Sequence, residues 1–148
     1  MEMTLKVSKA EVFAEVAKTT AYTGAKTPGD DSAYARVFTT DADAEMLARF
    51  WDETCADAAG TLRRLVLSEE TDADTFKLTL APPANHDTAQ DKGIERDFFS
   101  YFVLNITGKW FAIANKEESG GYGEAAQASI EEVHSKLLCK RKPSRPKY

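Results

Sequence analysis

The stretch from Ile94 to Lys116, IERDFFSYFVLNITGKWFAIANK, constrains this chain more than any other. Phe98, Phe99, Tyr101, Phe102, Val103, Leu104, Ile106, Trp110, Phe111 and Ile113 crowd into it. Projected on a helix, these side chains leave almost no side polar, so neighbouring elements must enclose the helix. The apolar part runs only from Phe98 to Ile113 and is interrupted by Asn105 and Lys109. That is shorter than the ~20 residues a transmembrane span needs, so a buried helix is expected and no membrane partner.

The rest of the chain is arranged around that helix. Ser8-Lys-Ala-Glu11 has the form of a capping box, with Val7 and Val12 at the staple positions, and opens a helix over about residues 9–22. Its apolar stripe is Val12, Phe13 and Val16, and Gly24 marks its end. Gly24, Pro28 and Gly29 punctuate a connector over 23–39, in which Tyr34–Phe38 alternates as a short extended piece would. A second helix begins near Thr40 or Asp41 and ends around 64–67. Met46, Leu47, Phe50, Trp51, Thr54, Ala58, Leu62 and Leu65 recur along it at three- and four-residue steps. Its Ala-rich middle (Ala56, Ala58, Ala59) suits close approach by another helix.

Residues 68–75 are polar and expected as a loop. Phe76, Leu78 and Leu80 then alternate with Lys77 and Thr79, the period of a half-buried strand, until Pro82 and Pro83 stop it. A lone strand leaves backbone groups unpaired, so its partner is either Tyr34–Phe38 or another subunit. Asp87, with Gln90 three residues on, opens the third helix, whose Gly108 permits tight contact with a crossing helix. A Gly120-Gly121 turn leads to a fourth helix with the stripe Tyr122, Ala126, Ile130, Val133 and Leu137. The expected fold is mainly α: one four-helix domain over residues 1–139 around a central aromatic-rich helix, with one short strand or hairpin. Pro143 and Pro146 then make 140–148 a flexible basic tail.

Residues able to carry chemistry are sparse. Asp52, Glu53 and Asp57 fit a solvated helix face better than a catalytic pair. His86 has no nucleophile beside it, and His134 fits a partly packed helix position. SGGYGEA resembles an anion cradle but has no lysine or hydroxyl residue at the phosphate-loop spacing, so a turn is the better reading. Cys55 and Cys139 lack metal-ligand spacing and fit two buried free thiols better than a disulfide between them. Met1 to Lys6 contains no apolar secretory core. No catalytic residue, metal ligand or cofactor is expected, and the chain is not expected to be an enzyme.

Charge is the remaining signal. The net charge is −5, but Lys136, Lys140, Arg141, Lys142, Arg145 and Lys147 follow one another with no acid among them. Without those six positives, 13 of the 19 basic residues remain against 24 acidic ones, a body of −11. Lys140, Arg141, Lys142, Arg145 and Lys147 are the candidate contact residues. Three readings stay open for them: a solubilising terminus, proximity to nucleic-acid phosphates without sequence recognition, or docking on the acidic body of a neighbouring subunit.

The order of elements resembles the head–tail connector (adaptor, head-completion) proteins of tailed bacteriophages and prophages. Leu5-Lys6-Val7-Ser8-Lys9 corresponds to the family's opening, and Thr40-Asp41-Ala42-Asp43-Ala44-Glu45-Met46-Leu47 to its acidic lead-in. Lys109-Trp110-Phe111 with Asn115-Lys116-Glu117 corresponds to the aromatic pair and polar step, and Ile130–Leu137 to the closing helix. The 23–39 connector and the strand at 75–81 lie outside that pattern. The resemblance implies a non-enzymatic virion assembly protein, found in the virion and in the host cytoplasm during assembly. Its partners would be portal and tail proteins, and copies would form a ring on the portal. The alternative is a small helical binding or adaptor module that uses an acidic surface or a helix-lined pocket. In either case Phe99 and Tyr101 are candidates for exposed partner contacts.

Overall fold

The computed structural model describes residues 2–25, 44–114 and 116–143. Strand β1 (Met3–Ser8) runs directly into helix α1 (Lys9–Ala25). Helix α2 (Ala44–Thr61), a short 3-10 turn (Arg63–Leu65) and a hairpin of β2 (Val66–Thr71) and β3 (Thr75–Leu80) follow. A second 3-10 turn (Thr88–Gln90) leads into α3 (Asp91–Ala114), and α4 (Lys116–Leu137) is the last helix. The chain is mainly helical, with four helices and a small antiparallel sheet in the order β1-β3-β2.

The strand expected at Phe76–Leu80 is present, but both of its partners come from elsewhere in the same chain. β1 pairs with it in the register Met3↔Leu80, Leu5↔Leu78 and Val7↔Phe76, and β2 in the register Glu69↔Leu78 and Thr71↔Phe76. The expectation of pairing with another subunit is therefore corrected, while Tyr34–Phe38 lies outside the described residues. The 68–75 stretch is likewise not a loop throughout: residues up to Thr71 form β2. Its side chains are almost all exposed, so backbone pairing with β3 holds it in the sheet. Between Val66 and Ser68 the register shifts by a bulge, which leaves Leu67 55% exposed. The hairpin turn is built by Asp72, whose Oδ1 accepts from the Asp74 and Thr75 amides and whose Oδ2 accepts from the Thr75 hydroxyl. Those donors hold its carboxyl below the usual aspartate range.

Leu5, Val7, Phe76, Leu78 and Leu80 form the buried face of the sheet. Helix α3 meets that face through Phe98, stacked on Phe76 at 6.5 Å, and Phe102, 5.9 Å from the same ring. Phe102 also reaches Trp51 of α2 at 5.1 Å, and Trp51 receives the edge of Phe13 from α1. Further along, Phe111 packs on Tyr122 of α4. Helix α3 is thus enclosed by the sheet and three helices, as its composition requires, except near its end, where Ile113 is 64% exposed.

The stripes of the other helices hold with local exceptions. Val12 and Val16 are buried on α1; on α2 Leu47, Phe50, Trp51, Thr54, Ala58 and Leu62 are buried, but Met46 lies at the surface. Ala126, Ile130, Val133 and Leu137 form the buried edge of α4. The proposed Thr40 or Asp41 cap lies outside the described residues. The Gly120-Gly121 turn is corrected: α4 begins at Lys116, and both glycines sit within it. Each glycine costs a helix about 1 kcal/mol relative to alanine, which the packing of α4 antiparallel to α3 offsets. Gly108 permits that packing, because a Cβ there would lie 3.3 Å from the Tyr122 Cβ.

Candidate interaction surfaces

The basic segment starts from a fixed point. After α4, the Cys139 carbonyl accepts from the Asp87 amide at 2.8 Å, and the Arg141 amide donates to the Asn85 carbonyl at 2.7 Å. His86 and Lys140 face each other across this antiparallel bridge. Lys140 and Arg141, expected as the start of a free extension, are instead held by backbone pairing to the loop before α3. The side chains of Lys140, Arg141 and Lys142 are exposed, and Arg145 and Lys147 lie outside the described residues. Lys136, counted with the basic run from sequence, belongs to the body: its ammonium pairs with Asp97 of α3.

His86 anchors the loop. Its side chain is 1% exposed, and its Nε2 donates to Asp91 Oδ1 at 2.7 Å, because an ionised carboxylate only accepts. Nδ1 is buried without a partner among the described residues. Asp87 caps the next turn by accepting from the Ala89 amide. From sequence His86 is a histidine without a nucleophile beside it; the structure makes it a buried tether beneath the root of the basic segment.

Two further surface features stand apart from the basic ridge. One is the β2 edge and its turn, where Glu69, Glu70, Asp72 and Asp74 are exposed. The other is an open cleft of about 480 Å³ between α2, α3 and α4, lined by Ala56, Asp57, Gly60, Thr61, Tyr101, Asn105, Gly123 and Gln127. A second hollow, of about 440 Å³, lies across α2 and shares Ala56 and Gly60 with it. The Ala-rich middle of α2 therefore borders two hollows, with only Ala58 of its three alanines fully buried.

Asp52 and Asp57 are exposed, and Glu53 is tied to Lys109 at 3.1 Å and Arg49 at 3.2 Å, which keep its carboxyl below the ordinary range. The expected pair of buried thiols holds for Cys55 alone, since Cys139 is half-buried; both are free. The SGGYGEA glycines, read as a turn and not an anion cradle, lie inside α4 rather than before its N-terminus. Tyr101, expected as an exposed contact, is 4% exposed, and Phe99 is half-buried. Among the described residues no three His, Cys, Asp or Glu side chains gather as metal ligands, and no helix is long and apolar enough to cross a membrane. The cleft was missed from sequence because its walls come from three helices. The signal available was the unexplained glycines, Gly60 and Gly123.

Comparison with protein-family models, curated proteins and solved structures finds no match.

Proposed function

We propose that this chain is a non-enzymatic assembly subunit of the head–tail connector type, whose copies form a ring on a portal and receive a tail component. The observation that carries the reading is the clasp between residues 139–141 and 85–87, which fixes Lys140, Arg141 and Lys142 as an exposed cationic ridge on an acidic domain. A cationic ridge leaving each body at a set point suits docking on the acidic surface of the next copy, and charge complementarity of this kind sets orientation and partner choice. The order of elements that resembles connector proteins supports the same reading. It carries with it the virion location, assembly in the host cytoplasm, and portal and tail partners. An acidic channel wall would let DNA pass without adhering.

Light scattering after size exclusion of this protein mixed with the portal ring of its own genome tests the proposal. A ring-sized gain in mass that is lost when residues 140–148 are deleted is the expected result. No gain in mass would overturn the connector reading. The polar cleft between α2, α3 and α4 favours a second reading, an adaptor module that binds one group of a partner.

A further inference from the structure

The cleft between α2, α3 and α4 offers mainly hydrogen-bond acceptors, beside the hydroxyl proton of Tyr101. Asp57 makes no salt bridge among the described residues, and its carboxylate opens on the cleft. Asn105 donates through Nδ2 to Thr54 Oγ1 at 2.9 Å. The Thr54 hydroxyl proton is already engaged by the Phe50 carbonyl at 2.7 Å, so Oγ1 can only accept here. That fixes the Asn105 amide with Oδ1 as its unengaged end. The same logic orients Gln127: its Nε2 faces the Glu131 carboxylate, which only accepts, leaving Oε1. On the floor, Tyr101 is 96% buried, yet its hydroxyl bonds to no described residue. Burial, then the charge of Asp57, push its phenol up to about 12, so it stays neutral.

The glycines point the same way. A Cβ at Gly60 or at Gly123, as at Gly120 and Gly121 outside the cleft, would meet nothing of this chain within 4 Å, and neither has the positive φ that excludes other residues. Each therefore weakens its helix without an internal steric reason. They stand on the α2 and α4 walls of one cleft, where a side chain would narrow the entrance.

We propose that this cleft is a receptor for an arginine side chain from the basic segment of a second copy of the chain. A guanidinium is planar, always cationic, and carries five N–H donors with no acceptor, which complements one unpaired carboxylate, two amide oxygens and a phenol oxygen between glycine walls. The chain supplies such groups as Arg141 and Arg145. Arg141 is pinned by its backbone at Asn85. The segment is cationic and the cleft carries an unpaired carboxylate, so the two complement each other in charge between copies. This inference rests on the self-assembly reading and names the acidic surface at which the basic segment docks.

The probe is a synthetic peptide of residues 140–148, titrated into the isotope-labelled full chain and followed by its amide resonances. The Gly60, Tyr101 and Gly123 signals are expected to shift saturably. Binding should weaken roughly tenfold or more when both arginines become citrulline, the neutral isostere, or when Asp57→Asn is made in the full chain. Equal binding by the citrulline peptide, or shifts confined to the β2 edge, would overturn the proposal. Shifts of these signals on deleting 140–148 from a dilute monomer would reveal an intramolecular occupant and overturn the second-copy assignment. Sedimentation separates the two readings. If deleting 140–148 abolishes association and Asp57→Asn leaves it intact, the cleft is excluded and the assembly reading stands. If the peptide binds at the cleft while the portal mixture gains no mass, the arginine site stands and the connector reading falls.

Discussion

Gly108 of α3 lies so close to Tyr122 of α4 that a methyl group added at position 108 would sit 3.3 Å from the Tyr122 Cβ and 3.4 Å from the Gly123 amide nitrogen. One of those neighbours is backbone and moves only with its helix. Gly108→Val is therefore expected to cost about 1–3 kcal/mol through overpacking, measured by urea unfolding. Gly121→Ala is its control, because a Cβ there meets nothing and the residue is helical. It should raise stability by roughly 0.5–1 kcal/mol. Stabilisation by Gly108→Val would mean that the two helices are not in contact at this point.

Phe102 sits at the junction of the core, with Trp51, Phe76, Phe98 and Tyr101 all within 6 Å between ring centroids. Phe102→Ala should cost about 3–5 kcal/mol, and the buried Trp110→Ala a similar amount. Phe99, half-buried on the same helix, should cost clearly less on truncation. Equal losses at positions 99 and 102 would contradict the packing described.

Thr107 buries its hydroxyl without a hydrogen-bond partner among the described residues. An unmatched polar group in the interior costs about 1–3 kcal/mol, and valine has nearly the same shape. Thr107→Val is expected to raise the denaturation midpoint by the equivalent of about 1 kcal/mol. A fall of that size would reveal a hydroxyl partner, such as water.

Alkaline pH should destabilise the fold through two groups. Burial, then the nearby Asp52 and Glu69 carboxylates, push the Cys55 thiol from 9.0 up to about 12; Tyr101 is pushed from 10.0 up to about 12. In both cases the unfolded chain loses the proton first. The stabilising contribution is whole below about pH 9 and declines as pH rises to about 12. Cys55→Ala and Tyr101→Phe should each flatten the decline in stability over this window, followed by unfolding at fixed pH. An unchanged slope in both variants would show that neither group is desolvated.

The helical stripes were legible because a buried helical face repeats its apolar residues at a spacing that sequence displays. Val12 and Val16, Leu47 to Leu62, and Ala126 to Leu137 all occupy the faces their spacing predicts. Gly108 was legible too, as a glycine set among large residues. β1 was not, although Leu5 and Val7 alternate with Thr4 and Lys6, because it joins α1 with no turn and the capping pattern dominates there. β2 displays almost no alternation, since an edge strand with an exposed surface is held by backbone hydrogen bonds, which leave no side-chain signature. Gly120 and Gly121 misled because glycine marks a turn by propensity alone, and tertiary packing overrides a cost of about 1 kcal/mol per residue.

By itself the sequence determined that α3 must be central, since ten large apolar side chains over about four and a half turns leave that helix almost no stable surface to show to water. It also determined the separation of a basic end from an acidic body. Tertiary structure alone decided which residues meet across long stretches of chain: Leu5 with Leu78, Lys136 with Asp97, His86 with Asp91 beneath Lys140, and Asp57, Tyr101 and Gln127 around one cleft. The physical reason is that local periodicity reports how much of an element is buried. The identity of the burying partner depends on backbone pairing and helix packing between residues far apart in the chain, and these leave no local repeat.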